Sequence, residues 1–488
     1  MSDTVEHHAR GLGRAVGGSV IARVVAMACS SITAFLVAAS LTRSDYGAYA
    51  IVFGIQVVLV MALDMGLTSA LARYVAQGRA TTGLVIRVAT ARLLLISVAA
   101  LVVLVAPSLV PAIDSSQLAH VLPALAALVI AQSLVAFFFG VLPSLRRIRL
   151  LLLVTVLQPL AELALVLRVR AGDGGAEDMV LATTYAGLAV SAIAWVVLLA
   201  PGRAASSDVP AGPESERASL SMVARYGREI FVVSLLIAVV GQVDQFVIGW
   251  FHPLAEVAPY ALAIKVSALL AAPAITIAGI VAPRIAGAGP AAQALYRQWL
   301  AFLLVFTFGA SLAIAVLGPQ LFGVIGEDYV GDAPLLWWMV PFFVLAAAAP
   351  LPSITLNQTG HAGSRRRIAA ITLAINAVLD LSLVPWMGAY GAVVGTTAAF
   401  IYYFAHHDVL VERALGEQAE APAPTIRWVL LRGGVVALAV AGLAAIVREL
   451  LERTIDDPSD LIVLLVAGGI AALVHTVWSI RIARRPLM

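Results

Sequence analysis

Residues 93–110 read LLLISVAALVVLVAPSLV, eighteen consecutive positions without a charged side chain. A helix needs about 20 mostly apolar residues to cross the hydrocarbon core of a bilayer. A membrane barrel would instead show segments of about ten residues with alternating polarity. This run therefore predicts a membrane-spanning helix, and similar runs recur along the chain.

The composition agrees with many spans. The chain has 488 residues, of which 61% are hydrophobic and 12% charged, and its mean hydropathy is +0.98. Soluble proteins have about 45–50% apolar and about 25% charged residues. These values exclude a water-soluble globule and predict an all-α polytopic membrane protein. The net charge of +3 is too small to suggest a nucleic-acid partner.

Fourteen stretches have the length and apolarity of a transmembrane helix. They lie near residues 19–41, 47–71, 88–112, 118–143, 150–168, 179–200, 229–251, 258–283, 298–318, 334–356, 368–386, 389–409, 426–447 and 461–480. The two terminal segments and every second connecting segment together hold 24 arginines, whereas the opposite segments hold five. Arginine and lysine collect on the cytoplasmic side of membrane proteins. We therefore expect both chain termini to be cytoplasmic.

Corresponding residues recur in the two halves of the chain, at a shift of 211 residues and then of 218. The first shift pairs Arg14 with Arg225, Asp45 with Glu256, Tyr49 with Tyr260, Arg73 with Arg284 and Pro123 with Pro334; the second pairs Arg149 with Arg367, Gln158 with Asn376, Glu162 with Asp380 and Tyr185 with Tyr403. Chance matching in a biased composition is the alternative explanation. A true repeat of six spans predicts two pseudo-symmetric lobes related by an axis along the membrane normal, with a cavity between them.

This repeat and the composition define the expected domains. Residues 1–200 would form the N-terminal lobe, 201–221 a cytoplasmic linker rich in Pro, Gly and Ser, 222–411 the C-terminal lobe, and 412–488 a final helix pair.

Six candidates stand out among the ionisable residues inside the expected spans, where each costs about 2.5–3.5 kcal/mol on insertion scales. They are Arg23, Asp64, Glu162, Asp244, Lys265 and Asp380. The basic pair, Arg23 and Lys265, either faces a substrate cavity or extends along the helix to the membrane interface. Lys265 is the only lysine in the chain. The acidic residues Asp64, Glu162, Asp244 and Asp380 are candidates for coupling transport to a cation.

Amides accompany several of these acids. Gln158 precedes Glu162 by four residues, and Asn376 precedes Asp380 by the same distance, so each pair shares a helix face. Gln242 lies two residues before Asp244. We treat Gln158, Asn376 and Gln242 as candidates for binding sugar hydroxyls. Helix–helix hydrogen bonding within the bundle is the alternative role for these side chains.

The sequence offers no sign of catalytic chemistry. It lacks a GxxxxGK[ST] phosphate loop, so we expect no ATP hydrolysis. The single cysteine, Cys29, excludes an intrachain disulfide and a cysteine-rich metal site. We predict no metal and no cofactor. The expected external loops are short, which argues against a membrane-bound glycan polymerase or ligase.

Several segments resemble Wzx-type polysaccharide and O-antigen transporters, flippases of the multidrug/oligosaccharidyl-lipid/polysaccharide superfamily. They are LGRAVGGSVIARV at 12–24, LTRSDYGAYAIVF at 41–53 and LDMGLTSALARYVAQG at 63–78, with VGQVDQFVIGWF at 240–251 and VAPYALAIKVSALLAAP at 257–273 in the second half. The likeness extends over both expected lobes.

The resemblance implies alternating access in the bacterial cytoplasmic membrane. The expected cargo is a polyprenyl-diphosphate-linked oligosaccharide, which would move from the cytoplasmic to the outer leaflet during cell-surface polysaccharide biosynthesis. Arg23 and Lys265 resemble cavity cations that would receive the diphosphate. Polymerases or glycosyltransferases are possible partners, and a monomer is expected. A cation-coupled drug or metabolite exporter of the same superfamily is the alternative function.

Overall fold

The computed structural model describes residues 22, 25–77, 79–109, 121–145, 147–199, 218–358, 364–416, 426–454, 459–472 and 474–475. Helices make up nearly all of these residues, and no strand occurs among them. The helices are α1 (Val25–Ser40), α2 (Arg43–Asp64), α3 (Leu67–Ala76), α4 (Thr82–Leu109), α5 (Leu122–Val141), α6 (Ile148–Ala171), α7 (Ala176–Leu199), α8 (Leu220–Val240), α9 (Val243–Phe251), α10 (Leu254–Ala286), α11 (Ala292–Val316), α12 (Gly318–Gly323), α13 (Glu327–Val330), α14 (Pro334–Ala348), α15 (Pro350–Gln358), α16 (Ser364–Met387), α17 (Ala389–Gly416), α18 (Ile426–Thr454) and α19 (Asp460–Val463).

The described part of the chain confirms a multi-pass membrane protein. Nine of its helical segments are long and apolar enough to cross a bilayer, and α8 and α9 together would make a tenth. α1 is apolar but shorter. The count of fourteen spans and the cytoplasmic position of both termini remain predictions from the sequence.

The expected span at residues 47–71 is interrupted. α2 ends at Asp64, and Met65 and Gly66 follow with φ of 46° and 70° in the left-handed region. A Cβ atom on Gly66 would lie 2.1 Å from the carbonyl oxygen of Gly227 on α8. Only glycine combines this backbone conformation with so close an approach of another backbone, so the break fixes how α3 packs on α8.

The chain forms two compact units, Met1–Gln242 and Val243–Met488. In the first unit, α5 packs against α4 and α7, around a core that includes Leu71, Val88 and Phe137. In the second, α16 packs along α17, and α11 packs on α14 and α18, with Tyr296 and Leu300 in the core. The lobe boundaries expected from the sequence are based on the repeat and not on helix packing. They remain a prediction.

The sequence repeat has a counterpart in the helix boundaries. α2 begins at Arg43 and α10 at Leu254, a shift of 211, so that Tyr49 and Tyr260 are each the seventh residue of their helix. Both tyrosines are buried. The pseudo-two-fold axis itself remains a prediction.

Candidate functional site

The second unit contains a buried cluster of polar side chains from four helices. Asp244 lies on α9, Tyr260 on α10, Asn376 and Asp380 on α16, and Thr396 on α17. None of the five is more than 3% exposed. Because α9, α16 and α17 pack together, residues separated by more than 130 positions meet at one place.

Asn376 holds the two carboxylates together. Its Nδ2 donates to Oδ1 of Asp244 at 2.8 Å and to Oδ2 of Asp380 at 3.0 Å. The hydroxyl of Thr396 donates to Oδ2 of Asp244 at 2.7 Å, and the hydroxyl of Tyr260 donates to the same oxygen. Asp244 thus accepts three hydrogen bonds, whereas Asp380 accepts one from this group.

Two further acceptor oxygens belong to the cluster. Within the described residues, Oδ1 of Asn376 and Oδ1 of Asp380 are buried without a hydrogen-bond partner. Gly395 faces the second oxygen closely, since a Cβ there would lie 2.1 Å from Oδ1 of Asp380. Buried acceptors normally have a hydrogen-bond partner, so these oxygens make the cluster a candidate binding position.

The chemistry of the cluster suits a small hard cation or a proton. Two ionised carboxylates inside an apolar bundle carry a large desolvation penalty unless a positive charge accompanies them. Carboxylate, amide and hydroxyl oxygens bind hard cations and not soft metals. Among the described residues, no group of three or more His, Cys, Asp or Glu could hold a metal ion.

The structure thus brings together three residues singled out in the sequence, Asp244, Asn376 and Asp380. From the sequence, Tyr260 was identified only as one of the residues that recur in the repeat. Thr396 was not identified as a candidate. A threonine in a helix carries no pattern that distinguishes a binding hydroxyl from the common bond to its own helix backbone. Gln242 lies just before α9, is half-buried and is not part of the cluster.

The first unit has a smaller counterpart in which Glu162, Gln158 and Tyr49 stand at positions related by the repeat to Asp380, Asn376 and Tyr260. Glu162 on α6 is half-buried and accepts a 2.9 Å hydrogen bond from the hydroxyl of Thr183 on α7. Tyr49 lies beside both. Gln158, one turn before Glu162, is half-buried. Asp244 corresponds at the shift of 211 to Thr33, so this unit has one carboxylate where the second has two.

Asp64 has a local partner. Its Oδ1 lies 3.2 Å from Nη2 of Arg92, and the hydroxyl of Thr68 donates to the same carboxylate. Arg92 is 2% exposed and also donates to the carbonyl of Ser133 at 3.3 Å. Arg92 is one of the 24 arginines assigned from the sequence to the segments outside the spans, and that assignment is wrong, because Arg92 lies inside α4. The ion pair with Arg92 gives Asp64 a buried partner within the first unit.

The structure describes one of the two basic candidates and not the other. Lys265 lies on α10, and its side chain is exposed. Arg23 lies outside the described residues.

A sequence model of the family described as "Polysaccharide biosynthesis protein" matches residues 12–288, more than half of the chain. No curated protein sequence gives a significant match.

Solved structures share the fold. An inward-facing multidrug-resistance transporter of the MATE family, in the MOP superfamily, has a TM-score of 0.64 at 14% identity; the match covers 80% of this chain and 96% of that one. The lipid II flippase MurJ in an inward closed conformation has a TM-score of 0.63 at 12% identity, with 96% and 99% covered. A mutant of the Vibrio cholerae MATE transporter VcmN has a TM-score of 0.58 at 15% identity, with 83% and 98% covered.

The family match and the shared fold confirm the resemblance drawn from the sequence motifs. The chain belongs to the polysaccharide biosynthesis protein family.

Proposed function

We propose that this protein is a cation-coupled flippase in the bacterial cytoplasmic membrane. Its cargo would be a polyprenyl-diphosphate-linked oligosaccharide, carried from the cytoplasmic to the outer leaflet for cell-surface polysaccharide biosynthesis. Family membership supports the cargo class. The observation that carries the coupling is the buried cluster of Asp244, Asn376 and Asp380.

The cluster can couple cation binding to a change in helix packing. Asp244 and Asp380 lie on different helices, α9 and α16, and both are acidic. A bound Na⁺ or proton removes their repulsion and favours the packing in which they share Asn376. Loss of the cation favours a packing in which the carboxylates separate. A ligand shifts a conformational equilibrium only through such differential binding.

The diphosphate of the cargo requires a fixed cation of its own, because unpaired charge is costly in an apolar medium. Lys265 remains our candidate for this role, with Arg23 at the cytoplasmic entrance. Polymerases or glycosyltransferases acting on the same glycan are the partners we expect, with the transporter itself a monomer.

A cation-coupled drug or metabolite exporter is the second candidate. It is favoured by the acidic character of the cluster. In that case the cation cluster would serve the same purpose, but Lys265 would have no diphosphate to bind.

Transport in proteoliposomes tests the proposal. The substrate would be a fluorescent polyprenyl-diphosphate oligosaccharide, and its accessibility to an external enzyme would report flipping. We expect sodium- or proton-dependent flipping, lost in Asp244→Asn and Asp380→Asn and retained in the control Glu177→Gln, which alters an exposed carboxylate on α7.

Lys265 separates the two functions. Lys265→Ala and Lys265→Gln should both abolish flipping of the diphosphate lipid, and Lys265→Arg should retain part of it. Full flipping by both neutral variants would exclude Lys265 as the diphosphate anchor. Cation-driven export of a cationic dye without any flipping would favour the exporter.

A further inference from the structure

His252 connects the ends of three helices in the second unit. It follows α9 directly and precedes α10. Its Nε2 lies 2.7 Å from the carbonyl oxygen of Val384, near the end of α16. Its Nδ1 lies 3.4 Å from Oε2 of Glu256, in the first turn of α10. The ring is half-buried, whereas Glu256 is 46% exposed.

Both partners of the ring are hydrogen-bond acceptors. A neutral imidazole has one N–H group and one lone pair, whereas the imidazolium has two N–H groups. The Nε2–H must donate to Val384, since a carbonyl cannot donate. A neutral ring would then turn the lone pair of Nδ1 toward the carboxylate of Glu256. An additional proton between these two groups would turn their 3.4 Å contact into a favourable ion pair.

This contact lies on the helices that assemble the cation cluster. Asp244 is eight residues before His252 on α9, about 12 Å by helical rise, and Asp380 is four residues before Val384 on α16. The bond from His252 to Val384 thus ties together the ends of the two helices that bear the two carboxylates. The turn between α16 and α17 also packs closely here, because a Cβ on Gly388 would lie 2.8 Å from Oε2 of Glu256.

We propose that His252 is a protonation-dependent clamp that positions Asp244 against Asn376 and Asp380. The clamp deepens the proposed cation-coupling function and rests on it for its role in transport. With the extra proton, His252 holds α9, α10 and α16 together. Without it, the Glu256 contact is lost, and only the bond to Val384 holds the end of α9.

Three other titratable groups on the helices around His252 have partners of their own. Asp380 on α16 accepts from Asn376, and Tyr260 on α10 donates to Asp244. The first titratable residue of α17, Tyr390, packs edge-on against Trp338. Among the described residues, Glu256 is the carboxylate in ion-pair contact with His252. Histidine is also the side chain that ordinarily changes charge between about pH 5 and pH 8.

Glu256→Gln supplies a matched variant. A glutamine amide can donate to Nδ1 of a neutral ring while Nε2–H stays on Val384, so this variant keeps the clamp at every pH. His252→Phe removes the clamp at every pH. His406→Gln alters an exposed histidine on α17 that bonds to the carbonyl of Tyr402 and serves as the control.

Two readouts on the purified full-length protein test the clamp, at about pH 6 and about pH 8. The first is the ²²Na⁺ affinity, divided by the affinity of Glu256→Gln at the same pH. This ratio cancels the competition between protons and Na⁺ at the cluster. The second is amide hydrogen exchange of segments 244–252 and 380–388, expressed as protection factors so that the intrinsic rise of the exchange rate with pH is removed. In the native protein and in His406→Gln, we expect the affinity ratio to fall about two- to fivefold as the pH rises, the range of an exposed ion pair. The protection of the two segments from amide exchange should fall over the same change in pH. Glu256→Gln should show the same high protection at both pH values, and His252→Phe the same low protection.

An exchange response to pH that is the same in Glu256→Gln as in the native protein would overturn the clamp. If no variant binds Na⁺, the sodium form of the proposed function fails, and hydrogen exchange alone decides the clamp. A pH response present in the native protein and absent in Glu256→Gln would then support it, and no response in either would overturn it.

Discussion

Asp380 lies against a helix surface that has room for a glycine and nothing larger. We predict that Gly395→Ala displaces the Asp380 carboxylate, because the new Cβ would start 2.1 Å from its Oδ1. Overpacking of this kind costs about 1–3 kcal/mol, and a 1.4 kcal/mol loss in binding corresponds to about tenfold in affinity. Sodium titration should show affinity weakened about tenfold, together with a lower melting temperature.

Gly279 on α10 provides the comparison for this substitution. A Cβ there has no atom within 4 Å, so Gly279→Ala should be neutral or stabilise by about 0.4–1 kcal/mol. Equal sodium affinity in both alanine variants would show that the Asp380 oxygen is not part of the binding position.

The buried pair of Asp64 and Arg92 should behave as a structural unit. Arg92→Leu leaves the carboxylate of Asp64 without its ion-pair partner, and such a loss costs about 3–5 kcal/mol. The double variant Asp64→Leu/Arg92→Leu should recover much of that stability, because no buried charge remains. Thermal unfolding of the three proteins in detergent measures the coupling. A double variant no more stable than Arg92→Leu would contradict the pairing.

Single residues were predictable where two polar groups share a helix face. The spacing of Asn376 and Asp380 indicated a common site, and their contact is present. The spacing could not show that Asp244 and Thr396 join them, because those contacts link different helices. Nor could it place Arg92, since an arginine near the start of an apolar run is consistent with either a loop or a buried ion pair.

At the level of elements, Gly66 determines how α3 continues after α2. We predict that Gly66→Ala destabilises the protein by at least about 1–3 kcal/mol, the usual cost of a strained left-handed residue, with a further clash against Gly227. Gly83→Ala is the control, because its Cβ would meet only the hydroxyl oxygen of Thr81, at 3.8 Å. Melting temperatures of the two variants measure the difference, and equal values would refute the close approach.

Hydropathy predicted where helices lie but not where they break. The expected spans at 150–168, 179–200 and 368–386 fall on α6, α7 and α16 with ends shifted by a few residues. The spans at 47–71 and 229–251 are each divided in two. Apolar residues continue through Met65–Gly66, and the single polar side chain of Gln242 does not end the apolar run around it. Composition alone could therefore reveal neither break.

For the whole molecule, the fold class followed from the sequence because the bilayer imposes one requirement on every span. Long apolar runs can satisfy their backbone groups in a membrane only as helices. The binding chemistry followed less completely, since it depends on which helices pack together. The repeat narrowed that choice by pairing Glu162 with Asp380, but it did not show that only the second unit places an additional carboxylate, Asp244, beside the first.

This asymmetry predicts the cation stoichiometry of the transporter. Glu162 in the first unit has hydroxyl neighbours, Thr183 and Tyr49, and can hold a proton. The second unit supplies two carboxylates and an amide, which together can replace the hydration shell of Na⁺. Equilibrium dialysis with ²²Na⁺ should therefore give one ion per chain for the native protein and for Glu162→Gln, and none for Asp244→Asn. A stoichiometry of two that falls to one in Glu162→Gln would mean that a single carboxylate with hydroxyl partners suffices, and the second acid of the cluster would then need another explanation.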